Sequence, residues 1–524
     1  MTRLKAPFKV LFSNDTTNIE QCSSPFNPRR WTHHGPVKPF TREILEAAID
    51  ETAGTGVDVH MLQPGVGWVP WWKSRKYPYA EHVRFMRERY GMEPSASGFA
   101  QYMAEGGDIV QVFVERCRLQ GLAPFISFRL NDSHGHELVH AEPGTMEGWA
   151  WHCLSPWHVN HPEWRIGQDL NDWNNRVLNW AIPAVRQHKF DYILEIIEQY
   201  DIDGFELDFM RNNSYFRQDE TSSVERRKIM LDFIRDVRAL LDATARPGQH
   251  RWLCVRIPCR LERHESIGVD VDAFHEAGVD MFNLCSSFFT EQQSDIAEIT
   301  HRLPEAAVYL ESTSAASLGA YIGGYDQTFR RMTDEEFYTS GHLAFSRGGA
   351  GTSSFNFVYY REHHGNEKIG PFAEPPFHVF KGLADPAFLA TAPQHYFVSR
   401  YHGGSSASGE LPDALAAGAS CSFKLDMAPP RGGWTQPGRL RVQAEADLAD
   451  SRWAARLNGV DLAPTDDVSE PYPNPYPNCL GNPADYRAWI VPADLPRDGI
   501  NTVEMTLLSG DQPVKVAFVD LAIR

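Results

Sequence analysis

The segment Asp203-Gly204-Phe205-Glu206-Leu207-Asp208 sets three acids among apolar side chains. In an extended strand residues i and i+2 share a face, so Gly204, Glu206 and Asp208 point one way while Phe205, Leu207 and Phe209 point the other. If the apolar set packs on helices, the two acids face an interior, where an ionised group is costly unless it is paired or used. Used, a carboxyl pair suits cleavage of a glycosidic bond, which needs separations of about 5–5.5 Å for retention or about 6.5–9.5 Å for inversion. Merely paired, the acids would be structural ion partners.

Acids on a strand do chemistry where the strand end opens on a shared mouth. Eight strand-like runs alternate with helix-like stretches: Phe8–Ser13, Val57–Leu62, Pro124–Leu130, Gly204–Phe209, Trp252–Ile257, Met281–Cys285, Val308–Glu311 and Thr352–Phe357. The order predicts an α/β fold, a (β/α)8 TIM barrel with its active site at the C-terminal strand ends. A doubly wound sheet would carry a Gly-rich loop after strand one, where Ser13-Asn14-Asp15-Thr16 stands. The connections over 63–100 and 131–185 are too long for plain turns and predict functional insertions in the βα loops. Past residue 393 helical periodicity ends, and runs such as SCSFKLDM, RLRVQAEA and VKVAFVDLAIR predict an all-β sandwich. The expected domains are a catalytic barrel, 1–393, and an accessory β-sandwich, 394–524.

The run DIDGFELDFMR is similar to the fourth-strand signature of retaining glycoside hydrolase barrels, and it resembles bacterial glycoside hydrolase-like barrels carrying DGxxLDxxR, here Asp203 to Arg211. FISFRLNDSH and GGAGTSSFNFVYYRE extend the likeness, which spans about residues 8–390. The resemblance implies a glycoside hydrolase with Asp208 as nucleophile. This chain departs from alpha-amylase-like families in having Glu206 where they carry Arg, and in lacking an inward acid on strand five.

The proton donor is therefore chosen on chemistry. Glu311 in AVYLESTS, flanked by apolar and hydroxyl residues, is the expected acid/base, with Glu291 and Asp132 in reserve. Glu206 is expected to bind a sugar hydroxyl or restrain the nucleophile's charge. Hydrogen-bonding residues at strand ends form the candidate substrate rim: Asn14, Asp15, His60, Gln63, Arg129, Asn131, His134, Arg256, Asn283, Asn356, Tyr360 and Arg361. Trp68 and Trp72, like other tryptophans of the two insertions, either stack on sugar rings or form the loops' own cores. Such closed insertions point to exo action.

Two rival functions use the same fold: a sugar-acid lyase or isomerase with Arg129 and Arg256 holding a carboxylate, and a non-catalytic carbohydrate-binding barrel. No cofactor or catalytic metal is expected, because a metal-dependent hydrolase barrel would want His-x-His where Asn14 and Asp15 stand. His33-His34, His134 with His136, His363-His364 and a calcium site near Asp466 and Asp467 are the weaker options. The formal charge of −18 over 524 residues argues against nucleic acid. Without an apolar run of about 18 residues or a leader, the expectation is a cytoplasmic protein with no membrane partner, or a periplasmic or secreted one if a leader precedes. Homo-oligomerisation is left open. Eight cysteines without C-x-x-C spacing read as scattered thiols.

Overall fold

A computed structural model describes residues 4–15, 19, 24, 26, 39–146, 148–286, 288–319, 329–360, 374–400 and 411–524. Eight parallel strands close into a barrel: β1 (Val10–Asn14), β2 (Val59–Leu62), β3 (Ala123–Arg129), β4 (Gly204–Asp208), β5 (Trp252–Pro258), β6 (Met281–Cys285), β7 (Ala307–Thr313) and the eighth barrel strand, Gly351–Phe355. Each of the eight expected strands is present, and strand neighbours follow chain order around the barrel. Nearly every barrel-strand residue is buried, since the helix layer covers the outside and side chains fill the inside.

Local sequence explains where the helices between these strands start and stop. Asp108 accepts from the Gln111 amide at the head of helix Ile109–Gln120, and Gly121, at φ 72°, ends it in the left-handed conformation. Ser222 and Glu225 form a reciprocal capping box on helix Ser223–Thr244. At the barrel floor the Phe8 ring lies edge-on to Phe125 (5.6 Å) and to Trp252 (5.9 Å). A Cβ on Gly204 would sit 2.3 Å from the Phe125 ring, so the glycine of the acidic motif lets that floor pack.

Grouped by proximity, the chain forms two compact units, Met1–Ser287 with Glu298–Tyr309 and Phe288–Ala297 with Leu310–Arg524. In the second unit, strand Gln394–Ser399 opens a five-stranded antiparallel sheet that also contains Val516–Ile523, Gly438–Ala444, Tyr486–Val491 and Ala463–Thr465. A four-stranded antiparallel sheet holds Ser420–Met427, Gly499–Ser509, Arg452–Leu457 and Val460–Asp461. Leu440, Val442, Trp489, Val503, Met505 and Leu521 from both sheets meet in one apolar core, as a sandwich requires. Among the described residues no helix is long and apolar enough to cross a membrane.

Candidate active site

Strand register assembles the site in two layers. The pairings Ser127↔Glu206↔Cys254 form the lower layer, and Arg129↔Asp208↔Arg256 the upper. Arg256 pairs in turn with Asn283 on β6. Glu206 is fully buried; its Oε1 accepts from Ser127 Oγ (2.6 Å), and its Oε2 from Asn283 Nδ2 (3.1 Å) and the Cys254 thiol (3.4 Å). Asp208, also buried, accepts from Arg256 Nη1 (3.0 Å) and the Met210 amide (2.8 Å) on Oδ1, and from Gln63 Nε2 (3.3 Å) on Oδ2. Asp208 thus accepts from one guanidinium and two amides, a donor set that orients a carboxylate for nucleophilic attack.

A ring of buried charge continues from Asp208. Gln63 passes its amide to Asp208 and offers its Oε1 to Arg129 Nε (3.0 Å) and Nη2 (2.8 Å). Arg129 also pairs with Asp132 (2.8 Å) and Asp15, and Arg211 reaches the same two acids (3.4 Å to Asp15, 4.0 Å to Asp132). Burial lowers the Arg129 pKa to about 10, assisted by the neighbouring Arg211. Burial would raise the Asp132 carboxyl, but His134, Arg129 and Arg211 outweigh it and hold the group well below the usual carboxylate range. Asp132 is thus a fixed anion and unsuited to the proton-donor role held in reserve for it.

No family model and no curated protein matches this chain. Among solved structures it overlaps an alpha-galactosidase of Geobacillus stearothermophilus in complex with raffinose (11% identity, TM-score 0.36, all of this chain and 57% of that one). It also overlaps an alpha-amylase of Geobacillus thermoleovorans complexed with acarbose (11%, TM-score 0.36, 97% and 100%). A third overlap is with an enzyme targeting pectin rhamnogalacturonan II (10%, TM-score 0.39, 74% and 39%). The chain thus spans little more than half of the galactosidase.

Several sequence candidates lie elsewhere. Asp203 sits below β4 in a two-pronged pair with Arg118 (2.6 and 2.7 Å), so only two acids of the motif face the barrel interior. His60 belongs to the helix-facing side of β2: Thr52 hydroxyl lies 3.1 Å from its Nδ1, the rings of Phe12 and Phe113 flank it, and burial pushes its pKa down to about 3. It is a core histidine, and Asn14 follows the Phe12 face of β1 by strand alternation. Asn131 works as a tie between loops, donating to the carbonyls of Leu178 (3.1 Å) and Ser214 (2.7 Å).

Trp68 and Trp72 correct the idea of sugar platforms, because both are buried. The Trp68 indole donates to the Asp132 carbonyl (3.3 Å) under the Lys189 ammonium (3.4 Å from the ring), and the Trp72 indole donates to Glu195 (3.3 Å). They are the insertion's own core. Glu311 is buried on β7, and Asn356, at φ 53°, follows the eighth barrel strand. The Tyr360 side chain, Arg361, His33-His34 and His363-His364 lie outside the described residues.

Sequence reasoning missed Ser127, Cys254 and Trp173. The first two stand two residues before Arg129 and Arg256, so strand alternation alone places them on the same inward faces. Trp173 is exposed, whereas Trp68, Trp71, Trp72 and Trp151 of the insertions are buried; its neighbours in QDLNDWNNR are polar, which is the signal of a surface loop. Among the described residues no group of three His, Cys, Asp or Glu side chains is arranged to hold a metal ion.

Proposed function

We propose that this chain is a glycoside hydrolase acting on the ends of oligosaccharides or glycoconjugates with retention of configuration, with Asp208 as nucleophile. One observation carries the reading: a buried aspartate at the C-terminal end of β4 accepts hydrogen bonds from Arg256, Gln63 and the Met210 amide, while Glu206 lies one layer below in its own set of donors. Asp208 attacks the anomeric carbon and leaves a glycosyl ester; water then hydrolyses it. Glu311 on β7 is the proposed acid/base, which protonates the leaving oxygen and later deprotonates that water. Glu206 is too deeply engaged to reach substrate and acts on the charge of the layer above. Arg129 is committed to Asp15, Asp132 and Gln63, which weighs against a sugar-acid lyase that would need it for a substrate carboxylate.

The test is a panel of 2-deoxy-2-fluoro glycosyl fluorides followed by peptide mapping. Formation of the ester is slowed less than it would be with a poor leaving group, and its hydrolysis is slowed strongly, so a retaining enzyme accumulates the adduct. The expected outcome is one added glycosyl group on the peptide containing Asp208. A label on another residue removes the nucleophile assignment, and turnover of no glycoside in a parallel nitrophenyl panel removes the hydrolase reading.

A further inference from the structure

We infer that Trp173 and His134 form a binding subsite for a second sugar residue, on the leaving-group side of the bond cleaved at Asp208; this rests on the hydrolase reading above. Trp173 is 47% exposed on the insertion after β3. Its neighbours fix it in place. The Arg176 guanidinium lies 4.7 Å from the ring centre and is itself paired with Glu137 (2.7 Å). The Trp173 carbonyl accepts from Asn212 Nδ2 (3.5 Å), and Asn212 Oδ1 accepts from Ser133 Oγ (3.0 Å). An apolar ring braced this way by polar groups is stiffened for contact and does not lie collapsed against a core.

His134 supplies the polar half. Its ring stands 5.2 Å from that of Trp173 at 75°, and its side chain is 38% exposed. Asp132 Oδ1 receives both the His134 amide (2.8 Å) and the ring Nδ1 (2.9 Å). With Nδ1 turned to Asp132, Nε2 on the opposite edge of the ring is the nitrogen that can meet a sugar hydroxyl. An indole face beside one directed ring nitrogen matches a pyranose, which presents C–H bonds on one face and hydroxyls at its rim.

The chain of contacts Asp208–Gln63–Arg129–Asp132–His134–Trp173, each link within one compact unit, connects this pair to the nucleophile. It begins at fully buried Asp208 and ends at the exposed indole. The sugar attacked by Asp208 occupies the buried end, so the unit departing with the leaving oxygen meets the exposed end.

Glycosyl fluorides have a leaving group too small to reach this subsite, and disaccharides with the same glycon fill it. For Trp173→Ala the ratio of disaccharide to fluoride kcat/KM should fall about tenfold, and Trp173→Phe should restore most of it. An unchanged ratio overturns the subsite, whatever the absolute rates. Binding is read separately by tryptophan fluorescence with maltose, cellobiose and lactose, taking the wild-type minus Trp173→Phe difference. Quenching confined to wild type supports the subsite even if no bond is cleaved, the result that would remove the hydrolase reading alone. No quenching, or equal quenching in both proteins, overturns it.

Discussion

Asp208→Asn separates charge balance from chemistry. Among three donors, Oδ1 of the new amide keeps those from Arg256 and Met210, so its NH2 falls opposite the Gln63 Nε2 donor. Gln63 cannot turn round cheaply, because its Oε1 already accepts two bonds from Arg129. Two facing donors in a buried site cost about 1–3 kcal/mol. Taking the anion from a buried guanidinium costs about 3–5 kcal/mol, less where a dipole still faces it, so we expect a total of about 4 kcal/mol. Adding Gln63→Glu returns both an acceptor and a charge, and should recover about 3 kcal/mol of that loss. Urea unfolding reads the stability, and hydrolysis of the best glycoside from the panel reads the chemistry. The single variant should lose at least about a thousandfold in rate, and the double variant should stay inactive although its stability returns. Hydrolysis recovered in the double variant, or above about a tenth of wild type in the single, would refute the nucleophile assignment. A single variant that unfolds at the wild-type urea concentration would refute the locked orientation of Gln63.

Glu311→Ala should abolish cleavage of natural glycosides while sparing much of the first step with an activated nitrophenyl leaving group; azide should then restore turnover and give a glycosyl azide of retained configuration, seen by NMR. Neither effect is expected if Glu311 is not the acid/base. The Asp132 carboxyl, lowered in the folded state, contributes stability that is present above its unfolded pKa of about 3.9 and is lost as pH falls through the folded value. Asp132→Asn should therefore lower the melting temperature at pH 7 and flatten its fall below about pH 4, and a parallel acid limb in the two proteins would count against that carboxylate.

All eight barrel strands were legible because each carries its own short apolar run between helical stretches. Their ends were read to within a few residues: Phe8–Ser13 is observed as Val10–Asn14, and Thr352–Phe357 as Gly351–Phe355. Inward and outward faces were legible too, and the misassignment of His60 came from grouping it with Gln63, three positions on and therefore on the opposite face. Register was not legible. That Ser127 and Cys254 stand level with Glu206 depends on how neighbouring strands slide, which no single strand encodes. The density of tryptophans marked the insertions as structured, but the sequence around Trp68 reads alike for a platform and for a core. Burial under Lys189 decides it, through long-range packing with helix Pro183–Gln199.

The charge ring around Arg129 also bears on how such a mouth can change over evolutionary time. Asp15 and Asp132 each face both Arg129 and Arg211, so replacing any one of the four strands an opposite charge in the interior. Neutral drift at these positions is closed to single steps and open only to paired ones, so the ring is inherited as a block. The exposed stretch around Trp173 carries no such debt, and variants there arise one at a time. New saccharide preferences would therefore emerge first at the tip of the insertion, while the acids beneath it stay as they are.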